Sequence, residues 1–227
     1  MSVETGRLAP EAVRTMFDRV APVYDAMNVV MTAGLDGGWR AETARAVVRP
    51  GDRVLDVCCG TGDLALAALG AGGRVTAVDF SDRMLERARR KSAEVEWMHA
   101  DALALPFEAA AFDAVTIGFG LRNVEDVDRG LAELRRVLRP GGRVGVLDVT
   151  QPRGLLRHFY ALWFDRLIPL LGHAIPGGAA YTYLPASVRR FPAAPVLAER
   201  LRSAGFEDVR YRRFAGGIVA LHTGSAA

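Results

Sequence analysis

The chain has 227 residues, half of them hydrophobic and 24% charged, with a formal charge of +3. That balance suits a globular domain with a substantial core and excludes a disordered or fibrous chain. Only Lys91 among the 29 basic residues is a lysine, and the arginines are scattered among 26 acidic residues, so nucleic acid is not an expected partner.

No stretch approaches the roughly 18 to 20 apolar residues of a membrane-spanning helix, and the first ten residues lack the apolar core of a signal peptide. A cytoplasmic location is therefore expected. Cys58 and Cys59 are the only cysteines. Side chains of sequence neighbours diverge, so they form no disulfide, and without further Cys or close His spacing they make no zinc pattern. Their expected role is to pack a strand end, and no metal is expected.

In chain order, residues 10–48 read as helix, with Val13, Met16, Phe17, Val20, Val23 and Tyr24 at three- and four-residue steps. From Arg53 the pattern changes. "RVLDVCC" is a short apolar run ended by Gly60-Thr61-Gly62, and the Ala/Leu-rich "DLALAALGAGG" after it is a helix with a glycine stop. "RVTAVDFS", "EVEWMHAD", "FDAVTIGFG" and "GGRVGVLDVT" follow as strands, with helices over 82–91 and 124–138. In the second of these helices Val127, Leu131, Leu134 and Leu138 share one face, and Pro140-Gly141-Gly142 stops it. Apolar strands alternating with amphipathic helices imply a doubly wound α/β fold with a mostly parallel sheet. A region rich in Leu and aromatic residues interrupts the alternation over 151–192. After a helix over 195–204, "FEDVRYRRF" and "GGIVALHTG" leave no room for a crossover and must pair as an antiparallel C-terminal hairpin at the sheet edge.

The turn Gly60-Thr61-Gly62 lets the backbone approach a ligand, and the helix behind it presents free N–H groups. Asp79, 19 residues beyond Gly60, ends the second strand at the distance that suits a carboxylate accepting from both ribose hydroxyls. A nucleoside cofactor follows. Gly60, Gly62 and Ala65 formally satisfy the dinucleotide pattern, so the motif alone leaves NAD(P) and S-adenosylmethionine open. Asp56 would oppose a pyrophosphate but suits the amino-bearing end of S-adenosylmethionine; its alternative role is to cap a neighbouring loop. Asp101, after the third strand, is placed to accept from an adenine amino group.

The terminal hairpin and the "LRPGGRV" turn resemble class I S-adenosylmethionine-dependent methyltransferases of Rossmann-like fold. "GFGLRNVEDVDRGLAELRRVLRPGGRVGVLDVTQP", "MFDRVAPVYDAMN", "YTYLPASVRRFP" and "GGIVALHTG" closely resemble the menaquinone and ubiquinone biosynthesis C-methyltransferases, over residues 16–224. "DVCCGTGD" resembles the demethylmenaquinone branch. The resemblance implies a single methyltransferase domain over 1–227, with a helical lid over about 10–48 and a substrate-side insertion over about 151–192. It implies cofactor contacts at Thr61, Asp79, Asp101, Ala102 and Gly118, the last offering only backbone groups where some members have serine. The implied reaction moves a methyl group to a ring carbon of demethylmenaquinol, giving menaquinol and S-adenosylhomocysteine; 2-methoxy-6-polyprenyl-1,4-benzoquinol or another small aromatic is the alternative acceptor.

A reduced ring is the nucleophile, so the site needs alignment and a partner for the hydroquinone oxygen. Tyr24, Arg122 and Asn123 are the candidate catalytic residues: Arg122 to stabilise a developing phenolate, Asn123 to orient the ring hydroxyl, Tyr24 from the lid. The competing roles are core packing for Tyr24 and a salt bridge to a helix beginning at Glu125 for Arg122. A polyprenyl hydroquinone needs an apolar groove, to which "YTYLP" is expected to contribute. "GLLRHFYALWFDRLIPLLGHAI" suits an interfacial helix as well as a buried cap, so peripheral contact with the inner face of the membrane is compatible with this reading. So is a homodimer.

Overall fold

A computed structural model describes residues 9–151 and 179–227 of the chain. The N-terminal segment forms three helices, α1 (Pro10–Val20), α2 (Tyr24–Thr32) and α3 (Asp36–Val47), with a 3-10 turn over Ala21–Val23. One continuous helix is thus replaced by a jointed arm. Pro22 cannot donate the backbone hydrogen bond a continuing helix needs, and Ala33 and Gly34 take left-handed backbone angles between α2 and α3.

The alternating region follows: β1 (Arg53–Val57), α4 (Asp63–Gly70), β2 (Arg74–Asp79), α5 (Asp82–Lys91), β3 (Glu96–His99), β4 (Phe112–Gly118), α6 (Val127–Val137) and β5 (Leu138–Val149). Helices α7 (Ala179–Arg190) and α8 (Ala194–Ser203) and strands β6 (Phe206–Phe214) and β7 (Val219–Ala226) complete the described chain. The seven strands form one sheet in the order β3-β2-β1-β4-β5-β7-β6. The first five run parallel, and β7 pairs antiparallel with both β5 and β6. The expected hairpin is present, with β7 inserted next to β5 and β6 on the edge.

Val54, Leu55, Asp56 and Val57 of β1 are all buried because helices cover both faces of a central parallel strand. Leu55, Val57, Val115 and Ile117 pack with Leu131 and Leu134 of α6 on one face. Val54, Val75 and Ala77 pack with Ala65 and Ala68 of α4 and Val47 of α3 on the other. Ser81 caps α5 by accepting from Met84 N and donates its hydroxyl to Asp18 of α1 at 2.6 Å, tying the jointed arm to the sheet layer.

The 124–138 helix is shorter than its periodicity suggests. Asp126 caps α6 by accepting from Arg129 N at 3.0 Å, and the chain passes from helix to strand at Leu138. Pro140-Gly141-Gly142 therefore lies within β5, where the register jumps from Phe112 opposite Leu138 to Ala114 opposite Arg143. That irregularity accommodates a proline that an even ladder would not. No helix among the described residues is long and apolar enough to cross a membrane. The candidate interfacial segment, residues 154–175, lies outside the described residues.

Candidate functional site

A cavity of about 300 Å³ opens at the carboxyl ends of β1, β2 and β4, where open α/β sheets bind their ligands. It is lined by Asp56, Gly60, Thr61, Asp79, Asp101, Ala102 and Gly118. Seven of the eight residues expected to contact a cofactor therefore meet in one place. The eighth, Gly62, acts from behind: its backbone (φ 90°) starts α4, and a Cβ there would lie 2.4 Å from the Trp97 ring. Gly60 (φ 57°) faces open space, so a side chain at that position would project into the cavity. The two glycines serve distinct needs, close packing and ligand room.

Asp56 is fully buried on β1. Its Oδ1 accepts from the Thr116 hydroxyl at 2.6 Å, whereas Oδ2 has no partner. The hydrogen-bond partner is Thr116 of the neighbouring strand rather than the loop that the alternative role named. Burial pushes its carboxyl up to about 7, against the lowering influence of Thr116 and Arg40. An unpaired buried carboxylate oxygen on a cavity wall is costly until a cationic donor meets it. The ammonium of a methionyl group is such a donor, and with the room at Gly60 it fits the S-adenosylmethionine reading.

Asp79 is held by backbone N–H groups: Gly60 donates to Oδ2 at 2.8 Å and Ser81 to Oδ1 at 2.9 Å. Burial lifts its carboxyl to about 6 in spite of the lowering pull of these donors. Each oxygen keeps a further lone pair for a ribose hydroxyl. Asp101 Oδ1 accepts from Leu103 N at 2.8 Å, which fixes the loop after β3 at the cavity edge. Gly118 offers the cavity backbone contact only, and a Cβ there would stand 2.9 Å from the end of the Leu64 side chain.

A second cavity of about 370 Å³ lies beside the first. Its walls are mainly apolar, with Met16, Val20, Met31, Trp39, Val149 and Leu184 from the helical arm, β5 and α7. Tyr183 and Leu184, within "YTYLP", both line it. Phe17, Tyr24, Arg40, Phe119 and Asn123 line both cavities and form the boundary between them.

Tyr24 and Asn123 thus stand on that boundary, and Arg122 lines the second cavity. Asn123 donates weakly to Phe119 O at 3.4 Å, and its Oδ1 is buried without a partner. Arg122 is buried. No helix begins at Glu125; the salt-bridge partner of Arg122 is Asp148, reached from its guanidinium at 2.8 Å and its backbone N at 3.2 Å. Phe119 O also accepts from the guanidinium. Burial disfavours the charged form, but Asp148 and the nearby Tyr24 and Tyr183 more than offset it, so the guanidinium holds its proton more firmly than usual. Nε of Arg122 has no partner.

Cys58 and Cys59 also line the first cavity. Cys58 sits at φ 54°, closely backed by Gly120, whose added Cβ would fall 2.4 Å from Cys58 Cβ. Burial pushes both thiols well above the ordinary range, so they stay protonated and pack.

Sequence reasoning missed Asp25, Arg40 and Phe119. Asp25 accepts from the Thr61 hydroxyl at 2.5 Å and from Lys91 Nζ at 2.9 Å, and the same Lys91 reaches Asp63 Oδ1 at 2.6 Å. The one legible signal was the isolation of Lys91 among arginines.

Residues 5–226 match the ubiE/COQ5 methyltransferase family. A protein of Clavibacter sepedonicus named demethylmenaquinone methyltransferase is 45% identical over 95% of this chain and 90% of its own length. A Thermus thermophilus protein of the same name is 44% identical over 92% of this chain and 99% of its own length. Among solved structures, a S-adenosylmethionine-dependent methyltransferase of Thermotoga maritima superposes with a TM-score of 0.71, at 21% identity, over 94% of this chain and 99% of its own. At that identity the likeness establishes the fold.

Proposed function

The chain belongs to the ubiE/COQ5 methyltransferase family, and from that premise we propose that the acid-lined cavity receives S-adenosylmethionine while its apolar neighbour receives the ring of a prenylated quinol. The protein is a S-adenosylmethionine-dependent methyltransferase acting in menaquinone biosynthesis, with demethylmenaquinol as its acceptor. The observation that carries the placement is the boundary of five residues, Phe17, Tyr24, Arg40, Phe119 and Asn123, common to an acid-lined cavity and a more apolar one. In-line methyl transfer needs the donor methyl and the acceptor carbon in direct contact, and two cavities that meet along a shared boundary bring them within reach.

When bound, S-adenosylmethionine supplies an electrophilic methyl group on a positively charged sulfur and leaves as S-adenosylhomocysteine. The chain's residues align and neutralise. Asp56 Oδ2 accepts from the cofactor ammonium, Asp79 from the ribose hydroxyls, and Asp101 with Ala102 meets the adenine edge. Thr61 holds the glycine turn, and Gly118 offers a flat backbone wall. On the acceptor side the phenol oxygen must gain negative character as its ring carbon attacks. Arg122, kept charged by Asp148, stabilises that oxygen, and the unpaired Asn123 Oδ1 accepts from the ring hydroxyl and orients it. Tyr24 closes the boundary. The ring carbon that gains the methyl group gives up its proton to water, restoring aromaticity.

Methylation of a short-chain demethylmenaquinol under reducing and oxidising conditions tests this assignment. Product is expected only with the reduced ring. Equal methylation of the quinone would overturn the phenolate roles of Arg122 and Asn123, and absence of product with the quinol would overturn the acceptor.

A further inference from the structure

The first cavity contains a charge that the reading above leaves unused. Its walls carry the carboxylates of Glu11, Asp56, Asp63, Asp79, Asp101 and Glu125, and two guanidiniums, Arg14 and Arg40. Arg14 is at the rim, paired with Glu11, and its side chain is 40% exposed. Arg40 is buried, with 8% of its side chain exposed. It rises from α3, pairs with Asp36 one turn earlier, lies over the Phe119 ring at 5.3 Å, and approaches Asp63 Oδ2 no closer than 4.0 Å.

A methionyl tail is a zwitterion. Its ammonium has a buried partner in Asp56, but its carboxylate would face a wall of acids unless a cation meets it. We propose that Arg40 binds the carboxylate of S-adenosylmethionine and, through Asp36, ties cofactor occupancy to the acceptor cavity. The inference rests on the cofactor assignment made above. Two features of the geometry support it. Pairing with Asp36 engages one terminal nitrogen of the guanidinium, and the second terminal nitrogen is beyond hydrogen-bond distance of Asp63, leaving donors for a carboxylate. Asp36 Oδ1 also accepts from the Thr32 hydroxyl at 2.9 Å on α2, and Asp36, Thr32 and Arg40 all line the acceptor cavity. A carboxylate arriving at Arg40 therefore holds the residue that fixes the α2–α3 joint.

Decarboxylated S-adenosylmethionine separates this role from general electrostatics. It carries one more positive charge than the parent, so a merely acidic cavity should bind it at least as well. Calorimetric titration of the wild type, Arg40→Gln and Arg40→Lys with both compounds provides the measurement. The wild type is expected to prefer S-adenosylmethionine by about 30-fold, the loss of one charge-assisted contact. Arg40→Gln should lower that preference to about threefold or less, and Arg40→Lys should leave it intermediate because an ammonium lacks the guanidinium fork.

A wild-type preference below threefold would overturn the proposal. So would an Arg40→Gln protein that weakens both compounds equally, the signature of a structural role. If Arg40→Gln does not fold, Arg40→Lys decides: a reduced preference supports the proposal and an unchanged one overturns it. Failure of the wild type to bind either compound would instead overturn the cofactor assignment.

Discussion

The cofactor cavity takes its floor from strand ends and the turns that leave them, whereas the acceptor cavity is closed largely by helices α1 to α3 and α7, which stand outside the strand–helix alternation. In the first, ligand-facing groups are fixed by backbone: Asp79 is held by the N–H groups of Gly60 and Ser81, and Asp56 is locked inside β1. In the second, the walls are packed side chains such as Met16, Met31 and Leu184. The difference separates two tasks. A constant cofactor suits a wall set by backbone, and a long apolar substrate suits one that adjusts by repacking. Substitutions on the two walls should accordingly split into effects on cofactor affinity and effects on turnover.

The largest effect is expected from Asp56→Asn. It removes the anion opposite the cofactor ammonium while keeping an oxygen for Thr116, so S-adenosylmethionine affinity should fall about 100-fold, as for loss of a buried charged partner. Turnover at saturating cofactor should change far less, because Asp56 does not line the acceptor cavity. The same residue gives a pH signature. Its carboxyl is raised from the usual range to about 7 in the folded chain, so between roughly pH 4 and 7 the folded state binds more protons than the unfolded one. Stability of the cofactor-free protein should therefore fall as pH rises through that window, while cofactor affinity rises as Asp56 ionises. Thermal melts and calorimetry across pH 5 to 8 measure both, and Asp56→Asn should reduce both trends to the share that Asp79, raised to about 6, contributes. A cofactor affinity independent of pH in the wild type would sink the ammonium assignment.

Asn123→Ala tests the boundary itself. The residue lines both cavities, but its unpaired Oδ1 suits the acceptor hydroxyl. Turnover should drop about 10- to 100-fold, the range of a single positioned hydrogen bond in catalysis, with cofactor affinity held within about twofold. A matched loss in both quantities would mean that Asn123 supports the wall and does not orient the ring. Tyr24→Phe, assayed in parallel, distinguishes packing from hydroxyl chemistry, since it keeps the Phe17 ring contact at 6.3 Å between centroids and removes only the oxygen.

The same contrast explains how much could be read from the sequence. The cofactor wall was legible because sequence order and spatial order coincide there: a strand, a glycine turn, and a carboxylate 19 residues on that does bond Gly60 N. The sheet was legible for the same reason, strand by strand to the terminal hairpin. Arg40 was not, because α3 has no marked apolar face, and nothing local shows that it reaches between Asp36, Asp63 and Phe119. Arg122 was singled out through family resemblance, and the salt bridge weighed as its rival role was assigned to the wrong partner. Asp148 lies 26 residues later on β5, and only the adjacency of β4 and β5 brings the two together. The break of the N-terminal helix could have been anticipated from Pro22 and Gly34; the apolar periodicity masked it.

Lys91 offers the finest test of the contrast, because it joins the two regions. It ends α5, where a cation also suits the carboxyl terminus of the helix, and bridges Asp25 on α2 with Asp63 at the start of α4. Asp25 in turn accepts from Thr61 in the glycine turn. Burial alone would raise the Asp25 carboxyl, but Thr61 and Lys91 together bring it below its ordinary value, so it remains an anion. Lys91→Met removes the cation and keeps most of the packing volume. The three partners are each about a quarter to a third exposed, and bridges of that kind contribute about 1 kcal/mol or less. An increase of about two- to fivefold in the acceptor KM is therefore expected at low ionic strength, with a smaller change in cofactor affinity because Thr61 keeps Asp25 as its acceptor. Salt should erase the difference between variant and wild type, since at 1 M the screening length falls to about 3 Å. A KM effect that persists at high salt would show that Lys91 acts by packing α5 rather than by tethering α2.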